Sequence, residues 1–206
     1  MQENKYCTIY FVRHGQTDWN VKSIIQGHSD IPLNENGVSQ AKKIAEKMTN
    51  VKFDAVFSSD LVRAKRTAEI IVLEKKLAIK TTEALRERFF GRFEGKDWRQ
   101  YDREIVTLLK KYRKAGYDNK KAIMETDSSM ISRVITFLRE IAVGYAGKTV
   151  LMVSHGGLMR TLLIHLGYGT YETLPPGSIS NLGYAKLRSD GVDFFISETS
   201  GVTKIE

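Results

Sequence analysis

The 206-residue sequence predicts an α/β fold with a mainly parallel central sheet, helices on both faces, a helical cap insertion and a C-terminal antiparallel hairpin. Three observations carry that prediction. Short β-branched runs recur, each followed at once by a polar cluster and then by a helical pattern, which is the grammar of parallel strands joined by crossover helices. Between Glu87 and Gly147 the strands give way to helical stretches alone. The chain then closes on two strand-like runs joined by a turn.

Residues 8–12 (TIYFV) read as a buried strand, with Arg13-His14-Gly15 at its carboxyl end. From Asn34 onward, Val38, Ala41, Ile44, Ala45 and Met48 recur at three- and four-residue spacing and predict an amphipathic helix ending near Asn50. Residues 54–57 (DAVF) form the second strand, and Ser58, Ser59 and Asp60 are candidate N-caps of a helix running through Leu61, Ala64, Ala68, Ile71 and Val72. A third strand is expected at 79–85. A fourth within 147–153 leads into Ser154-His155-Gly156-Gly157 and a helix over 158–166.

The segment 96–146 reads as a helical cap inserted over the site within a single domain, 1–206. Its helices fall at 97–115 and 127–146, with a polar linker near 116–121. Runs 178–187 and 192–199, separated by Ser189-Asp190-Gly191, supply the closing hairpin. In an open α/β sheet ligands collect beyond the carboxyl ends of the strands, and every polar cluster of interest falls there.

Composition narrows the function. Hydrophobic residues at 42% and charged residues at 27% are ordinary globular usage, which excludes fibrous and wholly disordered classes. The longest apolar runs, such as 70–73 and 150–153, fall far short of the roughly 18 residues a membrane span needs. Residues 1–6 show no apolar core behind a basic stretch, and Cys7 is the only cysteine, so a cytoplasmic location is expected. The formal charge of +8 favours an anionic partner. Its basic residues are dispersed and no nucleic-acid motif accompanies them, which points to a small phosphorylated molecule and away from nucleic acid.

Phosphoryl transfer needs a nucleophile, fixed cations around the non-bridging oxygens and an acid for the departing oxygen. His14 as neutral imidazole is a candidate nucleophile, with Arg13 beside it as a fork of donors matched to phosphate. Arg63 falls in the first turn of a helix, where backbone N–H groups already favour anions. His155 precedes Gly156-Gly157, which let backbone approach an anion closely. Taken singly, each is a common structural feature. No spacing of His28, His165 or the other histidines resembles a metal site, and no cofactor is expected.

Together these residues resemble a family. Phe11-Val12-Arg13-His14-Gly15-Gln16-Thr17 with Trp19-Asn20 is similar to the opening signature of the histidine phosphatase superfamily, the phosphoglycerate-mutase-like group. The resemblance continues through Gly27, Asp30, Pro32-Leu33 and Gly37, then Ser58-Ser59-Asp60-Leu61 with Arg63-Ala64 and Thr67-Ala68. It extends over Leu85, Glu87, Gly91 and Glu94-Gly95 to Val153-Ser154-His155-Gly156-Gly157. Ordered motifs at these separations are far more specific than any one alone.

The resemblance implies phosphorylation of His14, binding of the transferring group by Arg13, Arg63 and His155, and proton transfer by Glu87. It further implies phosphate or substrate contacts from Asn20, Gln26 and the backbone of Gly156, with Thr17 positioning the His14 loop. Discharge to water gives a phosphatase; discharge to a sugar-acid hydroxyl gives a mutase. The short insertion and the run Glu87 to Gly95 (ERFFGRFEG) are more like the phosphatase branch, so hydrolysis of a small phosphomonoester is expected, with a sugar phosphate or bisphosphate among the candidate substrates.

The insertion carries Lys96, Arg99, Arg103, Lys110, Lys111, Arg113, Lys114, Lys120 and Lys121 with Trp98 and Tyr101; any that face inward would select a second anionic group. Phe89, Phe90 and Phe93 either line an apolar pocket or pack the cap. Where relatives often show Gly-Glu-Ser, the chain reads Met124-Glu125-Thr126-Asp127. A module that binds phospho-ligands or a protein without turnover is the remaining alternative. A homodimer is the default assembly expected of a soluble enzyme.

Overall fold

In the computed structural model, residues 5–205 are described. The strands β1 (Cys7–Arg13), β2 (Ala55–Ser59), β3 (Ile79–Thr82), β4 (Thr149–Ser154), β5 (Ile179–Ser189) and β6 (Phe194–Val202) form one six-stranded sheet in the order β3-β2-β4-β1-β5-β6. The first four strands run parallel, and β5 and β6 are antiparallel additions beyond β1. The helices are α1 (Asp18–Val21), α2 (Glu35–Lys47), α3 (Val62–Val72), α4 (Trp98–Tyr112), α5 (Asp127–Gly144) and α6 (Gly156–His165).

Alternation along the central strands explains why both faces are covered. Ile9 and Phe11 of β1, with Val150 and Met152 of β4, point into one core with α5 and α6. Val12, with Leu151 and Val153, points into the other with α2 and α3. Successive side chains of a strand face opposite sides, so an uninterrupted apolar run demands two cores. Leu138 of α5 is fully buried, and truncating it to alanine is expected to cost about 2–5 kcal/mol.

The expected elements are present, with two corrections. Helix α3 is not capped by Ser58, Ser59 or Asp60: its N-cap is Leu61, without a side-chain cap. The Val62 N–H is met instead by Asp30 Oδ1 at 2.7 Å, while the Asp60 carboxylate is engaged by Arg86. Strand β3 stops at Thr82, whose hydroxyl accepts from Ala84 N and starts a 3-10 turn over Glu83–Leu85. Within 96–146 the two long helices pack in different places. Helix α4 builds a separate cluster with Ile25, Phe93, Ile105, Leu109, Tyr112 and Met124, whereas Met130, Val134, Leu138, Ile141 and Ala142 of α5 pack in the sheet core.

The parallel register pairs Arg13 with Ser154, the last residues of β1 and β4, and His14 N donates to Ser154 O at 2.9 Å. The residues that follow each strand, His14 and His155, are thereby set side by side at the sheet's carboxyl edge. Connections leave β1 and β4 toward opposite sides, making this gap the switch point of the sheet. Strand β5 carries a bulge between Ile179 and Tyr184, with Leu182 in the left-handed region at φ 58°. Among the described residues no helix is long and apolar enough to cross a membrane.

Candidate active site

A cavity of about 750 Å³ opens above the switch point. Arg13, His14, Asn20, Gln26, Arg63, Glu87 and Gly156 all line it. Beneath it, His155 packs edge-on to His14 with ring centroids 5.1 Å apart. Thr17 is buried outside the lining and works through Asn20: Thr17 Oγ1 accepts from Asn20 N, and Asn20 Oδ1 accepts from Thr17 N at 3.0 Å, a reciprocal cap that fixes the turn after His14.

His14 Nδ1 lies 2.7 Å from Gly15 O, a group that can only accept, so Nδ1 carries the proton and Nε2 keeps its lone pair. Burial, reinforced by Arg63 and Arg13, holds the His14 pKa well below 6.5, so the ring is neutral. His155 is likewise held well below 6.5 by burial, Arg63 and His14. His155 therefore stands beside the cationic groups as a neutral imidazole.

The arginines are anchored through their outer nitrogens. Arg63 donates to Ser29 O and Gly27 O, each at 2.8 Å, and Arg13 Nη1 donates to Ile179 O. Burial draws the Arg63 pKa down to about 10, still charged at neutral pH. Gly27 sits at φ +51°, and a Cβ there would fall 2.2 Å from Glu94 Oε1, so only glycine holds that carbonyl under Arg63. Arg13 Nε, Arg63 Nε, Gln26 Oε1 and both ring nitrogens of His155 are buried without a hydrogen-bond partner.

Glu87 stands at the N-terminus of α6. Its carboxylate accepts from Gly157 N and Leu158 N, both at 2.9 Å, and from Arg88 N at 2.8 Å. A Cβ on Gly157 would fall 2.6 Å from Glu87 Oε1, so the glycine permits this approach. Strand β5 contributes a residue that sequence reasoning missed: Asn181 Nδ2 donates to His14 O at 3.0 Å, across the gap between antiparallel and parallel halves of the sheet.

The far side of the cavity carries a second polar network. Asp127 accepts from Arg88 Nη2, from Arg113 Nε at 2.6 Å and from Tyr171 OH at 2.7 Å. Burial alone would raise the Asp127 pKa, but Arg88, Tyr171 and Arg113 overcome it and hold the carboxylate ionised. The Arg113 guanidinium lies 3.4 Å over the Tyr171 ring, and Arg160 donates to Leu174 O. Of the insertion's basic residues, Lys110 and Arg113 line the cavity; Trp98 and Phe90 do too, while Phe93 is buried in the α4 cluster and Phe89 is half exposed. Among the described residues no group of three or more His, Cys, Asp or Glu side chains could hold a metal ion.

Comparison with known proteins converges on the same residues' family. The model of the histidine phosphatase superfamily (branch 1) matches residues 9–199. Phosphatase PhoE of Bacillus subtilis is 34% identical over 201 residues, covering 95% of this chain and 98% of that protein. A broad-specificity phosphatase of Saccharomyces cerevisiae is 31% identical, covering 82% of this chain and 74% of its own. The structure of Bacillus stearothermophilus YhfR superposes with a TM-score of 0.80 at 27% identity, covering 96% and 98% of the two chains. With the motif matches in sequence order and the sheet, switch point and paired histidines in place, the chain belongs to branch 1 of the histidine phosphatase superfamily.

Proposed function

We propose that this chain is a phosphatase that hydrolyses a small phosphomonoester through a covalent phosphohistidine at His14 Nε2. The observation that carries the reading is the convergence of buried, unpartnered polar atoms from Arg13, Arg63, Gln26 and His155 around a neutral histidine whose Nε2 is free to attack. Buried polar groups are normally satisfied, and a phosphate dianion would accept from the Nε–H of Arg13, the Nε–H of Arg63 and the one ring N–H of His155, while Gln26 Oε1, an acceptor, is left to meet a hydroxyl of the substrate or water.

In the first step His14 Nε2 bonds to phosphorus as the phosphorus–oxygen bond to the leaving alcohol breaks, and Glu87, which must enter this step as the carboxylic acid, gives its proton to the departing oxygen. In the second, water attacks the phosphohistidine, Glu87 takes the water's proton, and inorganic phosphate leaves with His14 restored. Gly15 O holds the Nδ1 proton throughout, offsetting the positive charge that grows on the ring. The two arginines hold the equatorial oxygens, where their permanent charge acts on both steps.

The second network bears on substrate choice. Gly156 and Arg160 are four residues apart in α6, one helical turn of about 6 Å on the same face. Arg160 therefore stands one turn beyond the Gly156 backbone, and Arg113 and Lys110 of the α4 segment line the same cavity with further positive charge. This supports a substrate with a second anionic group, a phosphorylated acid or sugar bisphosphate, over a neutral ester. The names of relatives accord with phosphatase chemistry: PhoE, the yeast enzyme and a metal-independent phosphoserine phosphatase of Arabidopsis thaliana, 31% identical over 168 residues.

The test is a screen in EDTA of p-nitrophenyl phosphate, phosphoglycerates, sugar mono- and bisphosphates, phosphoserine and phosphopeptides, with His14→Ala alongside. Phosphate release that disappears in the variant supports the reading and names the class. Transfer between positions of a phosphoglycerate without net release identifies a mutase instead, and tight phosphopeptide binding without turnover identifies a binding module.

A further inference from the structure

Glu87 lies in a stretch, residues 86–90, that belongs to no helix or strand. A catalytic carboxyl on irregular backbone has no ladder to fix its height, so something else must do so. The carboxylate end is held by α6, as described. The main-chain end is held from behind, by residues outside the active-site cavity.

Arg133 of α5 donates through Nη2 to Glu87 O at 3.1 Å and through Nη1 to Ala84 O at 2.8 Å. The same guanidinium grips both oxygens of Glu125, Nε to Oε1 at 2.7 Å and Nη2 to Oε2 at 3.0 Å. Glu125 in turn closes on the other end of the stretch: its N–H donates to Phe89 O at 2.8 Å, and its Oε2 accepts from Phe89 N at 3.3 Å. His28 Nε2 lies 2.8 Å from Glu87 O, and since a carbonyl only accepts, that nitrogen carries the proton.

Arg133, Glu125 and His28 line a second cavity on the opposite side of this stretch, with Phe89 and Arg86, and none of the three lines the cavity that holds His14. Apart from the Arg133 charge, which is felt at His155, they reach the chemistry through the backbone they clip. We propose that the Arg133–Glu125 pair, assisted by His28, is a positioning device for Glu87: it sets the carboxyl at the height of the leaving oxygen. This rests on the reading of Glu87 as the proton donor.

A misplaced acid betrays itself in a way general destabilisation does not. Leaving groups that depart readily as anions need little protonation, while alkoxides need it fully. The experiment compares kcat/KM across substituted phenyl phosphates and one alkyl phosphate for wild type, Arg133→Lys, Glu125→Gln and Glu87→Gln, each checked for folding by circular dichroism. Arg133→Lys keeps the charge and loses the fork.

Arg133→Lys and Glu125→Gln are expected to lower the alkyl phosphate rate on the order of 10-fold more than the p-nitrophenyl rate, with Glu87→Gln steeper still. Adding Arg133→Lys to Glu87→Gln should cost little more. Should Arg133→Lys fail to fold, Glu125→Gln carries the test alone. A uniform loss across all leaving groups, or an unchanged series, in the Arg133 and Glu125 variants while Glu87→Gln steepens it would overturn the positioning role. A Glu87→Gln series no steeper than wild type would instead remove the acid assignment, and the positioning role with it.

Discussion

The contact between His14 Nδ1 and Gly15 O, 2.7 Å, commits one ring nitrogen as a donor and leaves the other, Nε2, with its lone pair free. On the proposed mechanism, phosphorylation therefore belongs to Nε2. His14→Ala is expected to lower kcat/KM by at least about 10³-fold on every substrate, as removal of a covalent nucleophile does. Quenching the wild type in alkali during turnover and mapping the acid-labile phosphate by mass spectrometry should place it on His14; phosphate found on another residue would refute the assignment.

Two buried neutral histidines make stability depend on pH with a definite sign. Both His14 and His155 have folded pKa values below the ordinary 6.5, so the unfolded chain binds protons first as pH falls. Their cost is absent above about pH 7 and grows below 6.5, by roughly 1.4 kcal/mol per pH unit for each histidine. Thermal melts between pH 8 and 5 should show the midpoint falling through the acid range. His14→Gln and His155→Gln should each flatten that slope; an unchanged slope in both variants contradicts the burial account.

Lys110 and Arg113 should act on selectivity rather than on chemistry. Arg113→Ala is expected to raise KM for a bisphosphate or phosphorylated acid by about 10-fold or more, the worth of a charge-assisted hydrogen bond, while p-nitrophenyl phosphate changes little. Steady-state kinetics on the two substrates decides it. Equal losses on both would assign Arg113 to the phosphate site or to folding alone.

Asp127 gathers Arg88, Arg113 and Tyr171 around one buried carboxylate. Asp127→Ala leaves Arg88, 3% exposed, without its counter-charge, a loss of about 3–5 kcal/mol. A urea titration should register it. A shift under 1 kcal/mol would mean that water replaces the carboxylate at little cost.

Most of the parallel core was legible because strand and helix periods leave clear marks, and the polar residues at strand ends inherit their place from those runs. Glu87 was legible only through its motif, since nothing in composition says that the α6 N-terminus receives its carboxyl. Asn181 was invisible for a physical reason: it reaches His14 O through the irregularity in β5, and bulges leave no periodic trace. The packing partner of helix α5 was not legible, because helical spacing tells that a face is buried but not against what. Its stripe Met130, Val134, Leu138, Ile141 suits a sheet as well as a cap. The Val62 N–H that opens α3 is met by Asp30, distant in sequence, where local reading offered Ser58, Ser59 and Asp60 as caps.

The pairing of Arg13 with Ser154 has a consequence for how this chain tolerates change in length. Sheet register advances in whole residues, each worth about 3.3 Å and a reversal of face. Segments entering β1 and β4 at their amino ends can grow or shrink without moving either histidine. A single deletion within residues 8–13 would drag His14 a full step down the strand and turn it into the core. Insertions and deletions should therefore survive freely at one rim of the sheet and almost nowhere along the two central strands, a polarity that a scan of one-residue deletions would read directly.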